Sequence, residues 1–97
     1  ASTFEPADAR RFPGLQLAWR ALAAAPGSTA VLNAANEIAV AAFLDRTIRF
    51  TDIHRINERT LEAVVPAQGD AASIEALLAL DARARRHART LVEGSAR

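Results

Sequence analysis

Residues 28–45 decide the fold, and they read STAVLNAANEIAVAAFLD. Either Ser28 or Thr29 is predicted to cap the free N–H groups of a helix over residues 29–45. At 100° per residue, apolar side chains cover almost the whole circumference of this helix. A helix that is apolar nearly all round is buried in a protein core. The stretch therefore predicts the central helix of an all-α, four-helix bundle-like domain.

Three further helices are predicted around the central one. They span about residues 13–25, 51–65 and 73–93, so the bundle occupies residues 13–97 and follows an extended arm at residues 1–12. Short links between helices favour neighbours that run roughly antiparallel.

Local signals mark the ends of these helices. Pro13 suits a first helical turn, where its missing N–H is not needed. Thr51 is predicted to cap the third helix, and Ser73 the fourth, with Asp70 as the competing cap. Gly94 is predicted to end the fourth helix.

Apolar periodicity predicts which side of each helix faces the core. The predicted inward faces are Leu15, Ala18, Trp19 and Leu22 in the first helix, Ile53, Ile56, Thr60 and Val64 in the third, and Ile74, Leu77, Leu78, Ala84, Ala88 and Leu91 in the fourth. The link before the third helix is expected to bury Ile48 and Phe50.

Composition bounds the function classes. The chain has 97 residues, of which 24 are Ala and only four each are Gly and Pro, so one helical domain is expected. Disulfide and thiolate chemistry are excluded because there is no Cys. No apolar run approaches the roughly 20 residues of a membrane helix, so we expect a cytoplasmic protein without a membrane partner. The absence of Met predicts a processed chain or a part of a longer one.

Charge is nearly balanced but unevenly placed. Twelve basic residues, all Arg, face 11 acidic ones. The stretch Arg83–Arg89, with Arg85 and Arg86 between, resembles a phosphate-binding stripe and motivates an alternative function as a freestanding helical interaction module that binds nucleic acid. The near-neutral sum argues against it, so no nucleic-acid partner is expected.

Polar side chains on apolar arcs are the candidate site residues. They are Asn33, Asn36, Glu37, Asp81 and Arg85. One interpretation is a site for a metal or polar ligand. The favoured one is a structural network, because two carboxylates alone hold a metal poorly. Asn36 is predicted to project between apolar neighbours.

The two histidines, His54 and His87, are expected on the surface. They are 33 residues apart in sequence, whereas a zinc site favours a close pair such as the i, i+4 spacing. Trp19 is interpreted as a core or inter-domain anchor. No nucleotide-binding, phosphate-binding or nucleophile motif is present.

Several separate short motifs of the sequence occur in an order that is found in a known protein family. They are residues 3–6 (TFEP), 11–13 (RFP), 31–44 (VLNAANEIAVAAFL), 48–53 (IRFTDI) and 80–85 (LDARAR). Together they resemble the C-terminal helical domain of the 1-deoxy-D-xylulose 5-phosphate reductoisomerases. Gly14 and Ala7 depart from the residues usual in that family, Cys and Pro.

The resemblance implies a place in a larger enzyme. The family's enzymes convert 1-deoxy-D-xylulose 5-phosphate to 2-C-methyl-D-erythritol 4-phosphate in the non-mevalonate route to isoprenoids of bacteria, as homodimeric oxidoreductases that use NADPH and Mg or Mn. Their cofactor, metal and phosphate sites lie in upstream nucleotide-binding and catalytic domains, which would be this chain's partners. No catalytic, cofactor-binding or metal-binding residue carries over to this chain. We therefore expect it to be inactive and cofactor-free alone, and to self-associate through an exposed apolar patch.

Overall fold

The computed structural model describes residues 11–96 and contains four helices in that range. They are α1 (Pro13–Ala23), α2 (Ser28–Leu44), α3 (Phe50–Ala63) and α4 (Ile74–Ser95). These residues form no strand. The predicted all-α class is therefore confirmed. Residues 1–10 of the predicted arm lie outside the described range.

Helix α2 is the centre of the domain and packs against α1, α3 and α4. Its contact with α4 is built from small side chains, with Ala34 and Ala84 in one cluster and Ala35, Ala39 and Ala88 in the next. All five are fully buried. Because the distance between packed helices depends on the side chains at the contact, these alanines let the two backbones approach closely. None of the helices in residues 11–96 is long and apolar enough to cross a membrane.

The start of α2 differs from the prediction. Neither Ser28 nor Thr29 caps it, because the N-cap is Gly27, which has a φ of 100° and offers no side chain. A Cβ on Gly27 would lie 2.8 Å from Cδ2 of the buried Leu80. Both the left-handed backbone and the close contact therefore require glycine here.

The start of α3 also differs, because Thr51 lies inside the helix. Arg49 is the N-cap residue, and its backbone N–H donates to Oδ2 of Asp52 at 2.9 Å. The N–H of Asp52 donates in turn to the Arg49 carbonyl oxygen at 3.0 Å. The side chain of Asp52 thus makes the hydrogen bond at the start of α3, a role that was predicted for Thr51.

The predicted start of α4 is confirmed, and its predicted end is wrong. Oγ of Ser73 accepts from the N–H of Ala76 at 3.0 Å, which confirms the predicted cap. The competing Asp70 closes the preceding turn by accepting from the N–H of Ala67 at 2.8 Å. Gly94 does not end the helix, which continues to Ser95 with Ala96 as C-cap.

Several predicted core residues are exposed. In α1, Leu17 and Ala21 are buried against Leu61 of α3, whereas Leu15, Trp19 and Leu22 remain substantially exposed. The remaining exposed ones are Phe50 in α3 and Ile74 and Leu78 in α4. Ile48 is buried as predicted. In α1, apolar side chains occupy more of the helix than the bundle covers.

Candidate functional site

Four of the five predicted site residues form one connected polar network on α2 and α4. The guanidinium of Arg85 donates through Nε to Oδ2 of Asp81 at 2.7 Å and through an Nη to Oε1 of Glu37 at 3.0 Å. The side chain of Asn33 donates to Oε2 of Glu37 at 3.1 Å. The network therefore links the central helix to the last one at the partly exposed edge of their contact.

The electrostatics of this network favour an ion pair over a metal site. Hydrogen bonds from Arg85 to Asp81 first, and to Glu37 second, raise the pKa of the Arg85 guanidinium above its ordinary value. A permanent cation therefore lies between the two carboxylates, in the place that a metal ion would need. Within residues 11–96, no three His, Cys, Asp or Glu side chains are grouped so that they could hold a metal.

The fifth residue, Asn36, belongs elsewhere. Its side chain is exposed, which contradicts its predicted place among apolar neighbours. Its Oδ1 accepts from Nδ2 of Asn57 on α3 at 2.9 Å. Asn57 is the buried member of the pair, with an exposed fraction of 8%.

Two buried polar atoms near this bond lack a partner. They are Oδ1 of Asn57 and Oγ1 of Thr60, whose side chain is fully buried. Apolar periodicity predicts that Thr60 faces inward, but it does not single out Asn57. The signal was its place directly after the core residue Ile56, at the border of the apolar arc of α3.

A cleft of about 550 Å³ opens between α1, α2 and α3. Leu17, Ala18, Leu22 and Leu32 form most of its apolar wall. The amides of Asn33, Asn36 and Asn57 form its polar side. Among the described residues that line the cleft there is no carboxylate or histidine, and the one hydroxyl is that of Thr29.

The arginine stripe is partly neutralised inside the domain. Arg83 pairs with Asp70 at 3.3 Å, and Arg85 is held by Asp81 and Glu37. Phosphate binding by these two side chains would compete with acids already in place. His54 and His87 are both half-buried, so neither is fully on the surface as predicted.

Comparison with known proteins decides the family. The model of the DXP (1-deoxy-D-xylulose 5-phosphate) reductoisomerase C-terminal domain matches residues 1–87. This chain belongs to that family. The resemblance found in the sequence is thus confirmed.

Curated relatives support the assignment to the DXP reductoisomerase C-terminal domain family. The 1-deoxy-D-xylulose 5-phosphate reductoisomerase of Colwellia psychrerythraea is 47% identical over 89 residues, which are 92% of this chain and 21% of that protein. The enzyme of the same name from Cupriavidus metallidurans is 54% identical over 85 residues, 88% of this chain and 21% of that protein. The one from Rhodopseudomonas palustris is 51% identical over 92 residues, 93% and 23% respectively.

The chain thus spans about a fifth of the length of the curated relatives it matches. These comparisons do not support the alternative of a freestanding nucleic-acid-binding module.

Proposed function

We propose that this chain is the structural C-terminal domain of a 1-deoxy-D-xylulose 5-phosphate reductoisomerase. The observation that carries the proposal is the family match over residues 1–87, combined with coverage of only a fifth of each relative. The whole enzyme would make 2-C-methyl-D-erythritol 4-phosphate in isoprenoid biosynthesis. A cytoplasmic location stays a prediction from the sequence.

The proposed role of this domain is structural and not catalytic. The tight alanine contact between α2 and α4 fixes two long helices against each other, and the ion pairs of Arg85 bridge the same helices at the surface. A domain of this kind offers a preorganised surface to the rest of an enzyme.

The cofactors of the proposed enzyme do not fit the described residues. A dinucleotide site needs clustered glycines between a strand and a helix, and Gly14, Gly27, Gly69 and Gly94 are far apart in sequence. Glu37 and Asp81, the acids of the candidate metal site, both form ion pairs with Arg85. NADPH and Mg or Mn would therefore be bound by upstream domains.

A chimera tests this proposal. This chain replaces the matching segment of the Cupriavidus metallidurans relative, and NADPH oxidation dependent on 1-deoxy-D-xylulose 5-phosphate is measured. We expect activity of the same order as the relative, and none from the 97-residue chain alone. The matched control is the relative without that segment. A folded but inactive chimera would overturn the proposal, as would saturable turnover by the chain alone.

A further inference from the structure

Helix α1 is apolar over more of its surface than the domain buries. Leu15 and Leu22 are about 20° apart on a helical wheel, whereas Leu17 lies about 160° from Leu15. Leu17 and Ala21 pack against Leu61 and Leu32. The face with Leu15 and Leu22 therefore points away from the core.

This outer face forms one continuous surface, which we call the α1 stripe. It consists of Phe12, Leu15, Trp19 and Leu22, each at least 42% exposed. Leu22 also lines the cleft beside α2, and Ala18 lies between the stripe and the cleft wall. The stripe and the cleft thus join into a ridge with a neighbouring groove, a shape that suits a protein partner.

Other exposed apolar residues make weaker surfaces. Phe50 and Leu44 are 70% and 72% exposed, but they come from two different elements, and the pocket that they line also contains the charged Arg46 and Arg49. Ile74 and Leu78 are a single pair at the start of α4. The α1 stripe is the largest set carried by one helix within residues 11–96.

Coverage of the relatives points to the occupant. About four-fifths of each relative lies outside the match, and the matched family is a C-terminal domain, so that remainder precedes α1 along the chain. A second copy of this domain would need roughly 800 Å² per partner to associate stably. A domain tethered through the same polypeptide needs less, because the tether raises its effective concentration.

We propose that the α1 stripe and the adjoining cleft are the docking surface for the upstream part of the same polypeptide. This inference rests on the proposed function. The upstream domains cover Leu15 and Leu22 with an apolar face and insert a side chain into the cleft. The amides of Asn33 and Asn36 at the cleft's polar side are each bonded once, to Glu37 and Asn57 respectively, and keep further donors and acceptors for backbone groups of that partner.

Hydroxyl-radical footprinting of the chimera and of the 97-residue chain tests the surface directly. Leu22 and Leu78 form a matched pair, with exposed fractions of 67% and 65% in this domain. We expect the labelling of Leu15 and Leu22 to fall several-fold in the chimera, and that of Leu78 to stay unchanged. Equal labelling of Leu22 in both proteins would overturn the proposal.

Substitutions give a second, independent readout. Leu22→Gln is expected to lower the melting temperature of the chimera by several degrees, whereas Leu78→Gln is not. In the 97-residue chain, both variants are expected to melt alike, since both side chains are exposed. Equal melting of the two chimeric variants would contradict the docking surface.

Two outcomes separate this inference from others. If the chimera, which has the upstream domains, is a dimer by sedimentation and Leu22→Gln makes it monomeric, the occupant is a second copy and the proposal is wrong. If the unsubstituted chimera is folded but inactive, the proposed function fails, while the footprint of Leu22 still decides the docking surface.

Discussion

Nδ2 of Asn57 on α3 donates to Oδ1 of Asn36 on α2 at 2.9 Å, and this bond joins a buried amide to an exposed one. The exposed Asn36 therefore supplies the acceptor for Nδ2 of the buried Asn57. An amide hydrogen left without an acceptor costs roughly 1–3 kcal/mol when it is buried.

Asn36→Ala is accordingly expected to destabilise the domain by about 1–3 kcal/mol in denaturant unfolding. The matched control is Asn33→Ala, another exposed asparagine of α2, whose partner Glu37 retains Arg85. We expect the control to lose less than about 1 kcal/mol. Equal losses in the two variants would show that Asn57 does not depend on Asn36.

Removal of the buried hydroxyl of Thr60 is expected to have the opposite effect and to stabilise the domain. Oγ1 has no hydrogen-bond partner, so Thr60→Val removes a desolvated polar atom and keeps the shape of the side chain. The variant is expected to be more stable by about 1 kcal/mol. The control is Thr90→Val. It removes a hydrogen bond, because Oγ1 of Thr90 donates to the Arg86 carbonyl oxygen at 3.1 Å. A lower unfolding midpoint for Thr60→Val would refute the prediction.

Asp52 should contribute to the acid sensitivity of the domain. The backbone N–H of Arg49, and next the side chain of Arg55, lower the pKa of its carboxyl below the ordinary 3.8. The unfolded state then takes up the proton first. The stabilisation is therefore present above about pH 3.8 and is lost as pH falls through the lower pKa of the folded state.

The expected result is a convergence of melting temperatures. Asp52→Asn melts below the unsubstituted protein at pH 5 to 6, and the gap narrows as the pH falls below 3.8. Thr51→Ala serves as a control beside it, since Thr51 does not cap the helix. A gap independent of pH would show that the charge of Asp52 does not stabilise α3.

Gly27 and Gly14 are expected to respond oppositely to alanine. Gly27 has a φ of 100°, and a Cβ there would lie 2.8 Å from Cδ2 of Leu80, so Gly27→Ala should lower the melting temperature. Gly14 lies in α1 with open space around its Cα, so Gly14→Ala should raise it through helix propensity. Similar melting temperatures for both variants would contradict the packing of α2 on α4.

The sequence predicted the class of fold and the pairing of Asp81 with Arg85, because both follow from spacing along one helix. It misjudged α1, where two apolar series compete and only the neighbouring Leu32 and Leu61 decide which one is buried. It also predicted Asn36 as the polar residue among apolar neighbours, whereas the buried asparagine is Asn57. Both errors concern contacts between helices, which periodicity within one helix does not contain.

The cap at Gly27 shows the same limit. Ser28 and Thr29 are good capping residues by local chemistry. The N-cap is instead Gly27, where a Cβ would lie 2.8 Å from Leu80 and 3.4 Å from Pro66, two residues that are far along the chain.

We propose that this domain supports catalysis without supplying a reacting group. The most direct measurement is kcat of the chimera carrying both Glu37→Gln and Asp81→Asn, assayed well below its melting temperature. These substitutions remove the two carboxylates held by Arg85 and leave the shape of the network. We predict that kcat changes by less than about tenfold, whereas loss of a general acid or base costs about 10²- to 10⁴-fold. A fall in kcat of that larger size, with an unchanged melting temperature, would contradict the account.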